Sequence, residues 1–256
     1  MIHPTAIVSP EARIGADTHV GPYCRVGDRV RIGERCHLES HVVIEGPTTI
    51  GNDNRFFPFG TIGFQPQDLK FKGEETFLTI GSHNVFREYV NINRGTKGGG
   101  GHTKIGDHNF LMVYAHVAHD CILGNHIIMA NAATLGGHVV IEDHATIGAF
   151  SGVHPFCRIG IHGYVGGYSV ITKDVLPYSK TVSERNTHAF GVNTIGLERK
   201  GFTSEQITSI KAAFRLLLQS NLNTSQAVEE IRKKIQSAEV QVLLDFIEAS
   251  PRGVIK

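Results

Sequence analysis

Residues 115–120 read AHVAHD, which sets two histidines, His116 and His119, beside the carboxylate Asp120. An imidazole next to a carboxylate is a general-base pairing, because the acid orients the ring and stabilises its charged form. Eighteen residues after His119 and Asp120 come Gly137 and His138, and His154 follows Gly136 by the same step. Glycine amides beside such a base can bind a developing oxyanion. No Ser or Cys stands among these residues as an obvious nucleophile, so direct group transfer is expected rather than a covalent enzyme intermediate. Two other readings stay open on residue type alone: solvated turn histidines, and a zinc site of three histidines gathered between subunits. A second series, His108, His126, His144 and His162, also steps by 18. It reads as a surface ladder on a different corner, with a metal-binding column as the alternative.

The step of 18 comes from a shorter repeat that must position these residues. Every sixth residue is apolar from Ile2 to Ile62, from Ile80 to Ile92 and from Ile105 to Ile171, in a chain that is only 41% apolar. Glycine often follows, and the fifth position is usually small or β-branched, as at Ala6, Thr18, Val42 and Ala115. Residues two apart face the same way in a strand. Each hexad is therefore a short strand with two inward side chains, closed by a corner in which glycine is expected to supply positive φ. Three hexads make one coil of 18 residues, and stacked coils form a left-handed parallel β-helix. All four cysteines, Cys24, Cys36, Cys121 and Cys157, occupy the small inward slot. They read as buried apolar groups, neither zinc ligands nor disulfides.

Two breaks in the register mark loops. Asp68 and Glu74 fall where aliphatics belong, so an extruded loop is expected near 63–79. The step from Ile92 to Ile105 is not a multiple of six, so 93–104, with its run of four glycines, is an insertion expected to be mobile. After Pro177 the repeat fades. Helices are expected over 201–220, where Thr203 and Gln206 form a capping box, and over 224–237 and 238–249. The expected organisation is a β-helix over 1–185 and an α-helical C-terminal domain over 186–256.

The net charge of +1 gives no polybasic footprint for nucleic acid or membrane. No apolar run approaches the ~18 residues of a membrane span. No signal peptide is recognised, so a soluble, cytoplasmic protein is expected.

Several segments together carry a family pattern: QDLK at 67–70, NRGTKGGG at 93–100, AHVAHD, NAATLGGHV at 131–139, GVHPFCRIG at 152–160, GVN at 191–193 and the terminal SPRGVIK. With the hexads, they make the chain resemble the bacterial UDP-N-acetylglucosamine O-acyltransferases that start lipid A synthesis. The resemblance implies transfer of an (R)-3-hydroxyacyl chain from acyl carrier protein to the 3-position of the sugar. It implies no cofactor beyond the phosphopantetheine that carries the acyl donor, and a homotrimer with sites between subunits. His119 matches the general base, Asp120 its orienting acid and Gly137 the oxyanion amide. Asp68, Lys70, His116 and His138 match sugar-nucleotide contacts, with His154 at the same cleft. Asn193 and Arg199 match contacts to the nucleotide end, with Lys200 as a second cation. Gly167 matches the position that limits acyl length. By residue type alone, Lys70 and Arg199 are solvated charges and Gly167 a corner glycine. The pattern departs at Pro155, where many members have Gln, and at Ile195, where a Glu is expected near the ribose. An acceptor carrying a 3-amino group, giving an amide, is the related alternative; a carbonic-anhydrase-like metalloenzyme is the more distant one.

Overall fold

The computed structural model describes residues 1–182, 189, 191–250 and 254. The chain splits into two compact units, Met1–Ser183 and Glu184–Lys256. The boundary expected at 185/186 lies outside the described residues, as does most of the terminal SPRGVIK segment.

The first unit is the left-handed parallel β-helix expected from the hexads. Its short strands form three parallel sheets of nine, eight and nine strands, each sheet taking every third strand of the chain. The register keeps hexad positions in line from coil to coil: Ile92 pairs with Val117, Val117 with Leu135, and Leu135 with Val153. Inward aliphatics from Val20 to Ile171 and all four cysteines make one continuous buried core. Burying such side chains supplies most of the favourable free energy, at about 25 cal/mol per Å² of apolar surface. The inward slot also takes three asparagines. Asn54 accepts from the backbone and side-chain amides of Asn84, Asn84 accepts from the Asn109 backbone, and the Asn54 and Asn109 side-chain amides donate to corner carbonyls of Gly81 and Gly124.

The corners correct one expectation. The corner glycines that follow the aliphatics, such as Gly15, Gly33 and Gly51, do not adopt positive φ. The left-handed residue comes two positions later and is not glycine: Asp17, Arg35, Asp53, His108, His126. Glycine is needed because the next coil lies directly against it. A Cβ on Gly51 would sit 2.7 Å from the carbonyl oxygen of Gly81, and one on Gly15 2.5 Å from that of Gly33. The left-handed slot tolerates His, Asp and aromatic residues, and it explains the histidine ladder. His83, His108, His126, His144 and His162 stack face to face at 4.6–4.9 Å between centroids.

Both register breaks are loops, tighter than expected. The strands Thr61–Phe64 and Phe77–Ile80 leave only 65–76 extruded, and Asn91–Asn93 and His102–Ile105 leave 94–101. Each loop joins the same two sheets, so both emerge from one corner of the helix, in successive coils. The glycine-rich insertion is not free: its 3₁₀ turn Lys97–Gly99 is capped by Thr96 and packs back on the scaffold.

Among its described residues the second unit holds four helices: α1 (Thr194–Arg199), α2 (Ser204–Gln219), α3 (Thr224–Lys234) and α4 (Ala238–Glu248). The expected Thr203–Gln206 capping box starts α2, and Asn223 with Gln226 repeats the device at α3. Ala213, Leu217, Ala227, Ile231, Val240 and Leu244 form its own core.

Candidate active site

The corner that extrudes both loops also carries the histidine cluster. Continuing up the same edge, the strand His116–Val117 leads into His119 and Asp120, Thr134–Leu135 into Gly136–His138, and Gly152–Val153 into His154–Phe156. Asp120, His138 and Phe156 occupy the left-handed slot in three successive coils, with φ of 60°, 64° and 68°.

His119 Nδ1 lies 2.8 Å from Asp120 Oδ2. The Asp120 side chain is 1% exposed and that of His119 18%. Asp120 also accepts from the Thr96 backbone N–H, at 2.9 Å to Oδ1 and 3.1 Å to Oδ2, and from the Thr96 hydroxyl at 2.6 Å. With Asp120 surrounded by donors, the His119 proton belongs on Nδ1, which leaves Nε2 as the basic nitrogen. Nε2 has no hydrogen-bond partner among the described residues. Gly137 packs against this ring so closely that a Cβ there would meet Cε1 at 2.5 Å and Nε2 at 2.8 Å. The Gly137 N–H likewise donates to nothing among the described residues. An imidazole nitrogen and a backbone N–H, neither bonded among the described residues, thus belong to residues packed against each other, and groups of these kinds can act as general base and oxyanion donor.

His138 stands edge-on to His119, with centroids 5.2 Å apart, and stacks on Phe156 at 4.4 Å. His116 faces outward from its strand and bonds Asn91 Oδ1 through Nδ1 at 2.7 Å, while Asn91 Nδ2 donates to Thr61. Burial is the main cause that holds the His116 pKa below its ordinary value, and the charge of His119 adds to it. His154 is exposed two coils above His119, with Nδ1 3.2 Å from the Pro155 carbonyl. The Pro155 ring fills the space beside Gly136, so this departure from the family pattern is packed into the coil below.

The structure does not join every expected residue to this cluster. Asp68 caps its own loop by accepting from the Lys70 backbone at 2.9 Å, and Lys70 is exposed. Among the described residues, neither bonds to the His119 corner, although their loop springs from the same edge. Gly167 lies on another corner, where a Cβ would come 2.8 Å from the Ala149 carbonyl oxygen, so packing alone favours glycine there. In the second unit, Asn193 caps α1 by accepting from the Gly196 N–H, Arg199 ends α1, and Lys200 is its C-cap.

His119, Asp120 and His138 each offer one ligand atom, all within 4.8 Å of one another. The donor set does not suit a metal, however. The Asp120 carboxylate is already bonded by Thr96 and His119, and a Cβ on Gly99 would touch its Oδ2 at 2.1 Å. Sequence reasoning missed Thr96, Thr103 and Asn91. Thr103 Oγ1 accepts from the Asp120 N–H at 2.8 Å. Inserted residues between Ile92 and Ile105 hid all three from the 18-residue arithmetic.

Two family models match the chain. One, described as "Udp N-acetylglucosamine O-acyltransferase; Domain 2", covers residues 174–255; the other, bacterial transferase hexapeptide repeats, covers 11–46. The chain is 46% identical to an acyl-[acyl-carrier-protein]–UDP-N-acetylglucosamine O-acyltransferase of Halorhodospira halophila, over all of this chain and 99% of that protein. It is 47% identical, with the same coverage, to the enzyme of that name from Thermodesulfovibrio yellowstonii. Among solved structures it is similar to a UDP-N-acetylglucosamine acyltransferase from Bacteroides fragilis, with 41% identity, a TM-score of 0.70 and full coverage of both chains. It is also similar to the one from Francisella novicida, with 36% identity, a TM-score of 0.71 and coverage of all of this chain and 94% of that one.

Proposed function

Because this chain belongs to the UDP-N-acetylglucosamine O-acyltransferase family, we propose that it moves an acyl chain from acyl carrier protein onto the sugar of UDP-N-acetylglucosamine at the His119 edge. We assign the donor as an (R)-3-hydroxyacyl thioester, the acceptor as the 3-hydroxyl and the step as the first of lipid A synthesis. The carrying observation is His119, whose Nδ1 is held by buried Asp120 while its ring packs against Gly137, with Nε2 and the Gly137 N–H both unbonded among the described residues.

In this reading Nε2 takes the proton of the sugar hydroxyl as its oxygen attacks the thioester carbonyl. The carbonyl oxygen becomes an oxyanion and accepts from the Gly137 N–H. Collapse breaks the C–S bond, and the imidazolium returns its proton to the departing thiolate. An ester and a free carrier thiol result, and no cofactor of the protein's own is needed. General-base help of this kind is worth roughly 10²–10⁴-fold, and one oxyanion donor roughly 10²–10³-fold.

Asp68, Lys70, His116, His138 and His154 are assigned to the sugar nucleotide; Asn193, Arg199 and Lys200 to its nucleotide end; and Gly167 to the acyl tail. The shared edge of the 65–76 loop and the histidine cluster supports the first of these assignments. Because Asp68 and Lys70 do not reach His119 within one chain, a site shared between subunits of a homotrimer accounts for their role. The cytoplasm is the assigned location, and no helix among the described residues is long and apolar enough to cross a membrane.

The test is an acyl-transfer assay that pairs UDP-N-acetylglucosamine and its 3-amino analogue with hydroxyacyl carrier proteins of several chain lengths. Ester formation with UDP-N-acetylglucosamine is expected. Product only with the amino sugar would reassign the acceptor, and no product with any pairing would overturn the proposal.

A further inference from the structure

The left-handed corner slot normally presents its side chain to solvent: Asp17, His108 and His126 are all exposed there. Asp120 occupies the same slot yet is buried. The difference is the glycine-rich insertion of the preceding coil, which lies over it. Thr96, at the start of the insertion, donates both its N–H and its hydroxyl to the Asp120 carboxylate, and its Oγ1 accepts from the Gly99 N–H at 3.1 Å. Thr103, in the strand His102–Ile105 that follows the insertion, accepts from the Asp120 N–H. Gly99 rests on Asp120 and His138 without room for a Cβ.

We propose that Thr96 is a positioning residue for catalysis: its hydroxyl locks the Asp120 carboxylate in the rotamer that orients His119, and the insertion exists to deliver that hydroxyl. Thr96 touches no reacting atom and acts only through Asp120. Its hydroxyl is suited to this because it donates to the carboxylate while accepting from the turn it caps, which holds the 3₁₀ turn and the catalytic acid in one fixed relation. A side chain without a hydroxyl leaves Asp120 Oδ2 short of one charge-assisted bond and frees the carboxylate to rotate away from His119 Nδ1.

This inference rests on the proposed acyl transfer. The test uses the full chain with UDP-N-acetylglucosamine and hydroxyacyl carrier protein, and compares the wild type with Thr96→Val, Thr96→Ser, Gly99→Ala and Gly98→Ala. Losing one hydrogen bond to a charged group predicts a fall in kcat of roughly 10- to 100-fold for Thr96→Val, with KM for both substrates within about twofold. Thr96→Ser keeps the hydroxyl and restores kcat. Combined with Asp120→Asn, Thr96→Val adds little further loss, because both changes act on one link. Gly99→Ala, whose Cβ would strike Asp120 Oδ2, lowers kcat as well, whereas Gly98→Ala, which meets nothing within 4 Å, does not. This glycine pair carries the test if Thr96→Val fails to fold. Wild-type kcat in Thr96→Val, no recovery with Ser, full additivity with Asp120→Asn, or equal effects at Gly98 and Gly99 would each overturn the proposal. No turnover by the wild type would instead overturn the function itself.

Discussion

Gly137→Ala is the most direct test of the site's geometry, because it adds one carbon where two functional groups meet. Gly137 lies outside the left-handed region, so alanine is conformationally allowed and the effect is steric alone. The new Cβ would lie 2.5 Å from His119 Cε1, against an ordinary contact beginning at 3.4 Å. The ring must retreat by roughly 0.9 Å, and displacement on that scale costs about 10²-fold in rate. It has little freedom to do so, because Nδ1 is tied to Asp120, which Thr96 holds, and His138 stands on its edge. Either the His119–Asp120 bond lengthens or the Gly137 amide swings away from the reacting carbonyl, and both outcomes degrade the transition state. A hundredfold loss corresponds to about 2.7 kcal/mol of transition-state stabilisation. The assay is kcat/KM for acyl transfer, with thermal unfolding followed in parallel to show that the coil stack survives. Activity within about threefold of wild type would mean that His119 and Gly137 do not bracket the reacting centre, and the assignment of base and oxyanion donor would be wrong.

His119→Ala should lower kcat by roughly 10²–10⁴-fold while circular dichroism and assembly stay unchanged. Exhaustive chelation should leave acyl transfer intact and metal analysis should find no stoichiometric zinc; loss of activity restored by zinc would revive the metal reading of His119, Asp120 and His138. Burial holds the His116 pKa below its ordinary value of 6.5, so the unfolded chain takes up that proton first. The folded state should therefore lose stability as pH falls through 6.5. Urea unfolding of His116→Gln across that range should show a flatter pH dependence. Burial pushes the Cys121 thiol up to about 12, so native protein at about pH 8 should leave Cys121 unmodified by a thiol reagent that reacts after denaturation. Gly51→Ala, whose Cβ would meet the fixed Gly81 carbonyl at 2.7 Å even if the Ser82 hydroxyl moved aside, should cost about 1–3 kcal/mol in chemical unfolding.

The hexad made the β-helix legible before any coordinates, because an apolar residue at every sixth position admits few other folds. The same arithmetic placed His119, Asp120, Gly137, His138 and His154 along one edge, since each position of a coil lies directly over its counterpart 18 residues away. It failed where the chain departs from the period. Ser82 donates to Asp107 across 25 residues rather than 18, the same offset hid His83 as the first rung of the ladder, and Thr96, 24 residues before Asp120, lay outside the repeat altogether. The corner glycines were located correctly but explained by φ, when the physical cause was the backbone of the adjacent coil. Side-chain pairings inside loops, such as Thr96 with Asp120, follow from tertiary packing and leave no periodic trace.

The uniform rise of the coils makes length a quantised variable in this scaffold. Each coil adds about 4.8 Å along the axis. Removing one residue from a strand would turn the rest of that strand inside out. Removing a whole coil would shorten the stack by a single rung and leave every remaining pair in register. The long insertions, 65–76 and 94–101, sit at a corner, and the ladder beside them shifts only between Ile62 and Phe64 before the register resumes. Diversity in this architecture is thereby confined to two channels: the number of rungs, and whatever is hung from the edge that carries His119.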